Sequence, residues 1–87
     1  MHMKITLKYF ASVREKLGAS QESLELPEGV ATVGGVRELL AARGGSWAEA
    51  LGHDRAVRMA HQQVMCGPDT PVLDGAEVAF FPPVTGG

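Results

Sequence analysis

The residues with the clearest capacity for chemistry are the last eight, 80–87, which read FFPPVTGG. Gly86 and Gly87 carry no Cβ, so a narrow channel can close around their backbone. Pro82 and Pro83 favour extended polyproline II geometry and donate no backbone hydrogen bond. They should therefore project Val84, Thr85 and the glycines away from the domain. Six residues, 82–87, reach at most ~20 Å when extended, enough to thread into the pocket of another protein. The Gly87 carboxylate is ionised at pH 7, with a reference pKa of about 3.5, and is a poor electrophile. Reaction at its carbonyl requires prior activation, and adenylation with ATP supplies a suitable leaving group.

The rest of the sequence offers no means of performing that activation. It contains neither a glycine-rich nucleotide loop nor a nucleophile paired with a base. Activation and transfer must come from partners, with ATP used by an activating enzyme and no cofactor bound by this chain. Cys66 is the only cysteine, so an intramolecular disulfide is impossible and the expected compartment is the cytoplasm. His2, His53 and His61 lack metal-ligand spacing, and no metal is expected. A net charge of −2 without a basic block gives no reason to expect a nucleic-acid partner. There is no apolar run of the ~20 residues that span a bilayer and no signal-peptide pattern, so no membrane association is expected. The opening MHM reads as a cloning scar, with Met3 as the natural start; residues 1–2 are set aside.

The 87 residues that carry this tail are 45% hydrophobic and 21% charged, as expected of one small globular domain. Residues 3–10 alternate: Ile5, Leu7 and Tyr9 share one face, Lys4, Thr6 and Lys8 the other, which predicts a half-buried strand. Residues 11–18 form a short helix with Val13 and Leu17 four apart and Gly18 at its end. Residues 22–29 alternate again and pair with the first strand. Residues 31–45 switch to helical spacing through Val33, Val36, Leu39 and Leu40, with Thr32 as N-cap and Gly44 and Gly45 as the stop. Residues 46–52 add a short helical turn in which Trp47 acts as a core lid. Strands follow at 55–60 and 63–66 around His61-Gln62, and a last strand at 76–81 follows a turn at Asp74-Gly75. This order predicts an α+β, ubiquitin-like β-grasp fold: a mixed sheet of about five strands with one main helix packed across it. The domain spans 3–81 and the extended tail 82–87.

Alternation also puts three large apolar residues on the polar face. Phe10 has the parity of Lys8, Phe81 that of Glu77, and Met65 that of Gln63. Three such residues on neighbouring strands make a patch, and patches mark partners. Cys66 has the parity of Val64, which assigns both to the core and makes Cys66 inert packing rather than a sulfur carrier.

The stretches KYFASVREKLG and DGAEVAFFPPVTGG resemble the family of small, sulfur-carrier subunits of molybdopterin synthase, and the order of elements fits from Met3 to Gly87. The middle diverges: Gln62, preceded by His61, stands where the family commonly has asparagine. The resemblance implies that an E1-like enzyme adenylates Gly87 and that a persulfide-derived sulfur replaces AMP to give a thiocarboxylate. The charged tail, 82–87, then enters the active site of a large catalytic subunit and donates sulfur to cyclic pyranopterin monophosphate. Two donations build the dithiolene of molybdopterin. It also implies an assembly of two small and two large subunits, with Phe10, Met65 and Phe81 at the partner interface. Arg14 lies in the matching motif; Arg14 and Lys16 either steer partner groups or form a solvated helix face. Two other functions share the Gly-Gly ending: a carrier for thiamin, cysteine or tRNA thiolation, and a ubiquitin-like protein modifier.

Overall fold

β1 (Met3–Tyr9) buries Ile5, Leu7 and Tyr9 and turns Lys4, Thr6 and Lys8 to the opposite face, as the alternation requires. The computed structural model describes residues 3–83. After β1 come α1 (Ala11–Leu17), β2 (Gln21–Leu26), α2 (Val33–Ala41), α3 (Gly45–Leu51), β3 (Arg58–His61), β4 (Val64–Cys66) and β5 (Glu77–Phe81). The strands form one mixed sheet in the order β2-β1-β5-β3-β4. β1 pairs parallel with β5 and antiparallel with β2, while β3 runs antiparallel to both β5 and β4.

The helices cover one face of this sheet. Val13, Val33, Val36, Leu40 and Leu51 pack with Ile5, Leu7, Tyr9, Leu26, Met59, Val78 and Phe80 in a single core. α2 is the longest helix and starts as its sequence predicts, with Thr32 Oγ1 accepting a hydrogen bond from the Gly35 amide at 3.0 Å. It ends earlier than expected. Ala42 is its C-cap, and Gly44 instead becomes the N-cap of α3. The tie between these two helices carries no sequence signature. Arg37 Nε donates to the Leu51 carbonyl at 2.8 Å, and its Nη2 donates to the Gly52 and Arg55 carbonyls at 2.7 and 2.8 Å. One guanidinium thus gathers three carbonyls at and just beyond the end of α3, of which Gly52's also accepts from the Arg55 amide at 3.0 Å.

A polar cluster seals the other end of the core. The Tyr9 ring lies edge-on to Trp47 at 5.7 Å and stacks on Phe80 at 6.5 Å. Its hydroxyl donates to Glu22 Oε1 at 2.8 Å. Arg43 grips both Glu22 oxygens, at 2.9 and 3.2 Å, and lies 4.3 Å above the Trp47 ring. Burial, then the hydrogen bond to the Glu22 carboxylate, pushes the Tyr9 phenol well above its ordinary range. Burial also works to raise Glu22, but the bonds from Arg43 and Tyr9 outweigh it and hold this carboxyl below its usual value.

The loop before β5 docks on the start of α2. The Val33 and Gly34 amides donate to the Thr70 and Pro68 carbonyls, each at 2.9 Å. A Cβ on Gly34 would lie 2.8 Å from Pro68 Cβ and 3.0 Å from the Pro68 carbonyl oxygen, so only glycine lets the loop come this close.

Two outcomes follow. Gly34→Ala gains up to ~1 kcal/mol in helix propensity but forces the Pro68 backbone away. Urea denaturation should show a net loss of about 1 kcal/mol or more. For Tyr9, the folded state holds its proton more tightly than the unfolded chain. The unfolded chain releases that proton above pH ~10, so stability falls as pH rises, by up to ~1.4 kcal/mol per pH unit. Tyr9 is the only tyrosine, so phenolate absorbance should appear together with loss of the circular dichroism signal, and Tyr9→Phe should have a shallower alkaline limb.

Candidate functional site

The sheet face opposite the helices holds a shallow concavity of about 760 Å³. Phe10, Met65, Phe81, Pro82 and Pro83 line it, together with Lys8, Gln63 and Glu77. The strand register explains the grouping. Lys8 and Ala60 both pair with Ala79, Ala60 also pairs with Met65, and Arg58 pairs with Phe81. Cross-strand partners point to the same face, so one stripe of side chains crosses β1, β5, β3 and β4. Its floor is Ala60 and Ala79, and their small side chains leave the hollow that the larger ones surround.

Phe10 and Met65 are 46% and 57% exposed, and Phe81 is half-buried at the edge of the hollow. Their side chains share this face, as parity predicts. Phe10 is positioned by two backbone features. Its amide donates to the Phe80 carbonyl at 3.2 Å, which extends the parallel pairing by one residue. Ala11 then takes φ +51° and swings the chain into α1, an unusual geometry for a residue with a Cβ. Arg14 is exposed on α1 and is not part of the hollow, and Lys16 pairs with Glu49 at 4.0 Å. Pro82 and Pro83 form one wall of the hollow. Val84, Thr85, Gly86 and Gly87 lie outside the described residues.

Two polar features of the face had no signal in the composition. Lys8 Nζ lies 3.4 Å from Glu77 Oε1, an ion pair that period-two spacing across β1 and β5 makes possible only once the strands are known to be neighbours. The second is the hairpin turn. β3 runs through His61 and β4 starts at Val64, so the central turn residues are Gln62 and Gln63 rather than His61 and Gln62. The earlier strand runs 58–61 rather than 55–60. Both glutamines hold positive φ, +52° and +66°, the geometry of a two-residue turn that normally selects asparagine and glycine. Gln62 fastens the turn to β5: its amide donates to the Glu77 carbonyl, and its Oε1 accepts from the Glu77 amide, both at 2.8 Å. Cys66 packs half-buried against the core beside Met59. Val64 shares its parity yet is 66% exposed, because β4 is a three-residue edge strand with a single neighbour.

Among the described residues there is no group of three or more metal-ligating side chains, and no helix is long and apolar enough to cross a membrane. What these residues present is a binding surface: apolar at its centre, polar at one margin, and adjoining the root of the tail.

Comparison with known proteins gives a consistent result. The profile of the ThiS family matches residues 7–87. The chain is 42% identical over 83 residues to the molybdopterin synthase sulfur carrier subunit of Escherichia coli, covering 95% of this chain and 99% of that protein. Among solved structures, the small archaeal modifier protein 1 of Methanosarcina acetivorans superposes with a TM-score of 0.76 at 20% identity, over 100% of this chain and 99% of that one. A complex of subunits 1 and 2 of the molybdopterin-converting factor from Helicobacter pylori matches with a TM-score of 0.63 at 22% identity, over 98% and 100%. These two similarities establish the β-grasp fold.

The strained turn gives a direct test of the local geometry. Relief of a left-handed non-glycine residue is worth ~1–2 kcal/mol, offset by the ~0.5–1 kcal/mol that glycine loses in chain entropy. Gln63→Gly should therefore raise stability by about 0.5 kcal/mol, read as a higher denaturation midpoint with an unchanged slope.

Proposed function

The chain belongs to the ThiS family, and we propose that it is the sulfur-carrier subunit of a molybdopterin synthase. The observation that carries this reading is the 42% identity, across nearly both full lengths, to the Escherichia coli sulfur carrier subunit. The geometry supports it. Parallel pairing of β1 with β5 sets Phe10 beside Pro82 and Pro83, so the apolar face and the tail root are one continuous surface.

In the chemistry proposed, an E1-like enzyme transfers AMP from ATP to the Gly87 carboxylate. The outer sulfur of a persulfide displaces AMP to give an acyl disulfide, and a second thiol then cleaves its S–S bond, forming a disulfide and leaving a C-terminal thiocarboxylate. The domain docks on a large catalytic subunit through Phe10, Met65 and Phe81, with Arg14, on α1 outside the hollow, as a further contact. Residues 82–87 then extend into the partner's active site, where cyclic pyranopterin monophosphate accepts the sulfur and the carboxylate is regenerated. Two donations complete the dithiolene. Acid–base and anion-binding groups belong to the large subunit, in an assembly of two small and two large chains in the cytoplasm. Pro82 and Pro83 limit the conformations open to the tail root, which lowers the entropy lost on threading, and Gly86 and Gly87 suit a channel too narrow for a Cβ.

The terminus then tolerates neither shortening nor bulk. Deleting Gly87 withdraws the carboxylate by up to ~3.5 Å, and a ~1 Å misplacement can cost ~100-fold in a positioned reaction. The deletion and Gly86→Val should both melt like the parent, yet gain no sulfur-for-oxygen mass increment with the activating enzyme, ATP and a sulfur source. Full thiocarboxylation and product formation by the deletion variant would refute the carrier reading. Isopeptide conjugates to lysines in the same incubation would point to a protein modifier. Co-purification with a large subunit other than that of molybdopterin synthase would point to another thiolation pathway.

A further inference from the structure

Arg58 opens β3 and pairs with Phe81 across the sheet, so its side chain shares the face that carries the hollow. It is exposed, and its side chain makes no hydrogen bond or ion pair among the described residues. The other charges beside the hollow are already matched, because Lys8 and Glu77 pair with each other at 3.4 Å. Among the described residues, Arg58 is therefore an uncompensated cation on this face, beside the aromatic residue from which the tail departs.

From this we infer that Arg58 is a specificity-determining contact of the docking face and takes a carboxylate from the partner subunit. The inference rests on the reading of this face as the docking surface. A partner that closes over Phe81 leaves the neighbouring guanidinium at the rim, where a facing carboxylate speeds the encounter and fixes orientation. The planar fork of arginine fits a carboxylate in a two-point contact, and arginine is enriched at protein interfaces. Lys8 and Glu77 neutralise each other and make no comparable demand. The occupant is thus a surface that is apolar opposite Phe10, Met65 and Phe81 and acidic opposite Arg58. A second copy of this chain docked through the same face would have to accommodate two such unmatched cations.

The experiment measures association of the full-length chain with the cognate large subunit by stopped-flow or biosensor kinetics at 50 mM and 500 mM salt. Arg58→Glu should slow association more than tenfold at 50 mM, with the deficit shrinking to under threefold at 500 mM, because charges at the edge of an interface act mainly on the encounter rate and are screened by salt. Arg58→Lys should recover most of the parent rate, and melting of both variants should match the parent. Phe81→Asp should weaken binding equally at both salt concentrations. If Arg58→Glu stays within twofold of the parent at 50 mM, or its deficit is independent of salt, the carboxylate contact is wrong. If Phe81→Asp binds like the parent, the docking face itself is misassigned. Sedimentation of the chain alone showing a dimer that Arg58→Glu dissociates would assign Arg58 to self-association and overturn the inference.

Discussion

The parallel pairing of β1 with β5 is the constraint on which the remaining structure depends. Leu7 lies against Val78 and Tyr9 against Phe80, in the middle of the sheet and at the base of the core. Two strands from opposite ends of the chain thereby finish at the same edge. Phe10 emerges from one and Pro82 from the other, and both line the same hollow. An antiparallel pairing of the same strands would have buried the same side chains but sent the tail to the far edge, away from Phe10. Alternation then does the rest: every residue that buries its side chain under the helices leaves a neighbour facing outward.

The two faces of the sheet manage polarity in opposite ways. On the helix side, every buried side-chain polar atom among the described residues is satisfied. Tyr9, Glu22 and Arg43 form a closed network, and Arg37 caps the end of α3. Such groups hold one arrangement of the elements and have little left to offer a partner. The opposite face is left open, with large apolar side chains in water and Arg58 unmatched among the described residues. That contrast separates Arg37 and Arg43, whose guanidiniums are spent inside the fold, from Arg58 on the open face.

Strands with strict alternation were legible in the sequence because one face is buried and a register slip would expose it. Ile5, Leu7 and Tyr9 therefore marked β1, and the parity of Phe10 and Phe81 put them on the outer face. The start of α2 was legible because Thr32 caps it through a local bond three residues long. The misplaced features depend on contacts distant in sequence. The turn at Gln62-Gln63 uses residues of poor intrinsic turn preference, held by bonds to Glu77 fifteen residues away. Val64 followed the core parity but sits on an edge strand, where parity no longer means cover. The hollow also depends on what is missing: Ala60 and Ala79 read as ordinary strand residues, and only sheet order shows that they are cross-strand partners. The need to activate the terminal carboxylate was read from composition and stiffness, as a property of the chain rather than of the fold, and its sulfur chemistry came only from the family resemblance.

The position of β5 bears on how the protein is made. This strand is last in sequence but central in the sheet, between β1 and β3. It supplies Val78 and Phe80 to the core. Until residues 77–81 have left the ribosome, β1 and β2 can pair only with each other, and β3 and β4 form a separate hairpin with no shared core. A two-stranded hairpin is at best marginally stable in water, so early folding brings no lasting gain. Closure must await the non-local pairing of β1 with β5, which slows folding relative to a helical bundle of equal length. Synthesis is thereby self-checking: a product truncated before β5 lacks both the sheet's centre and the tail, and cannot form a stable domain that competes for partners.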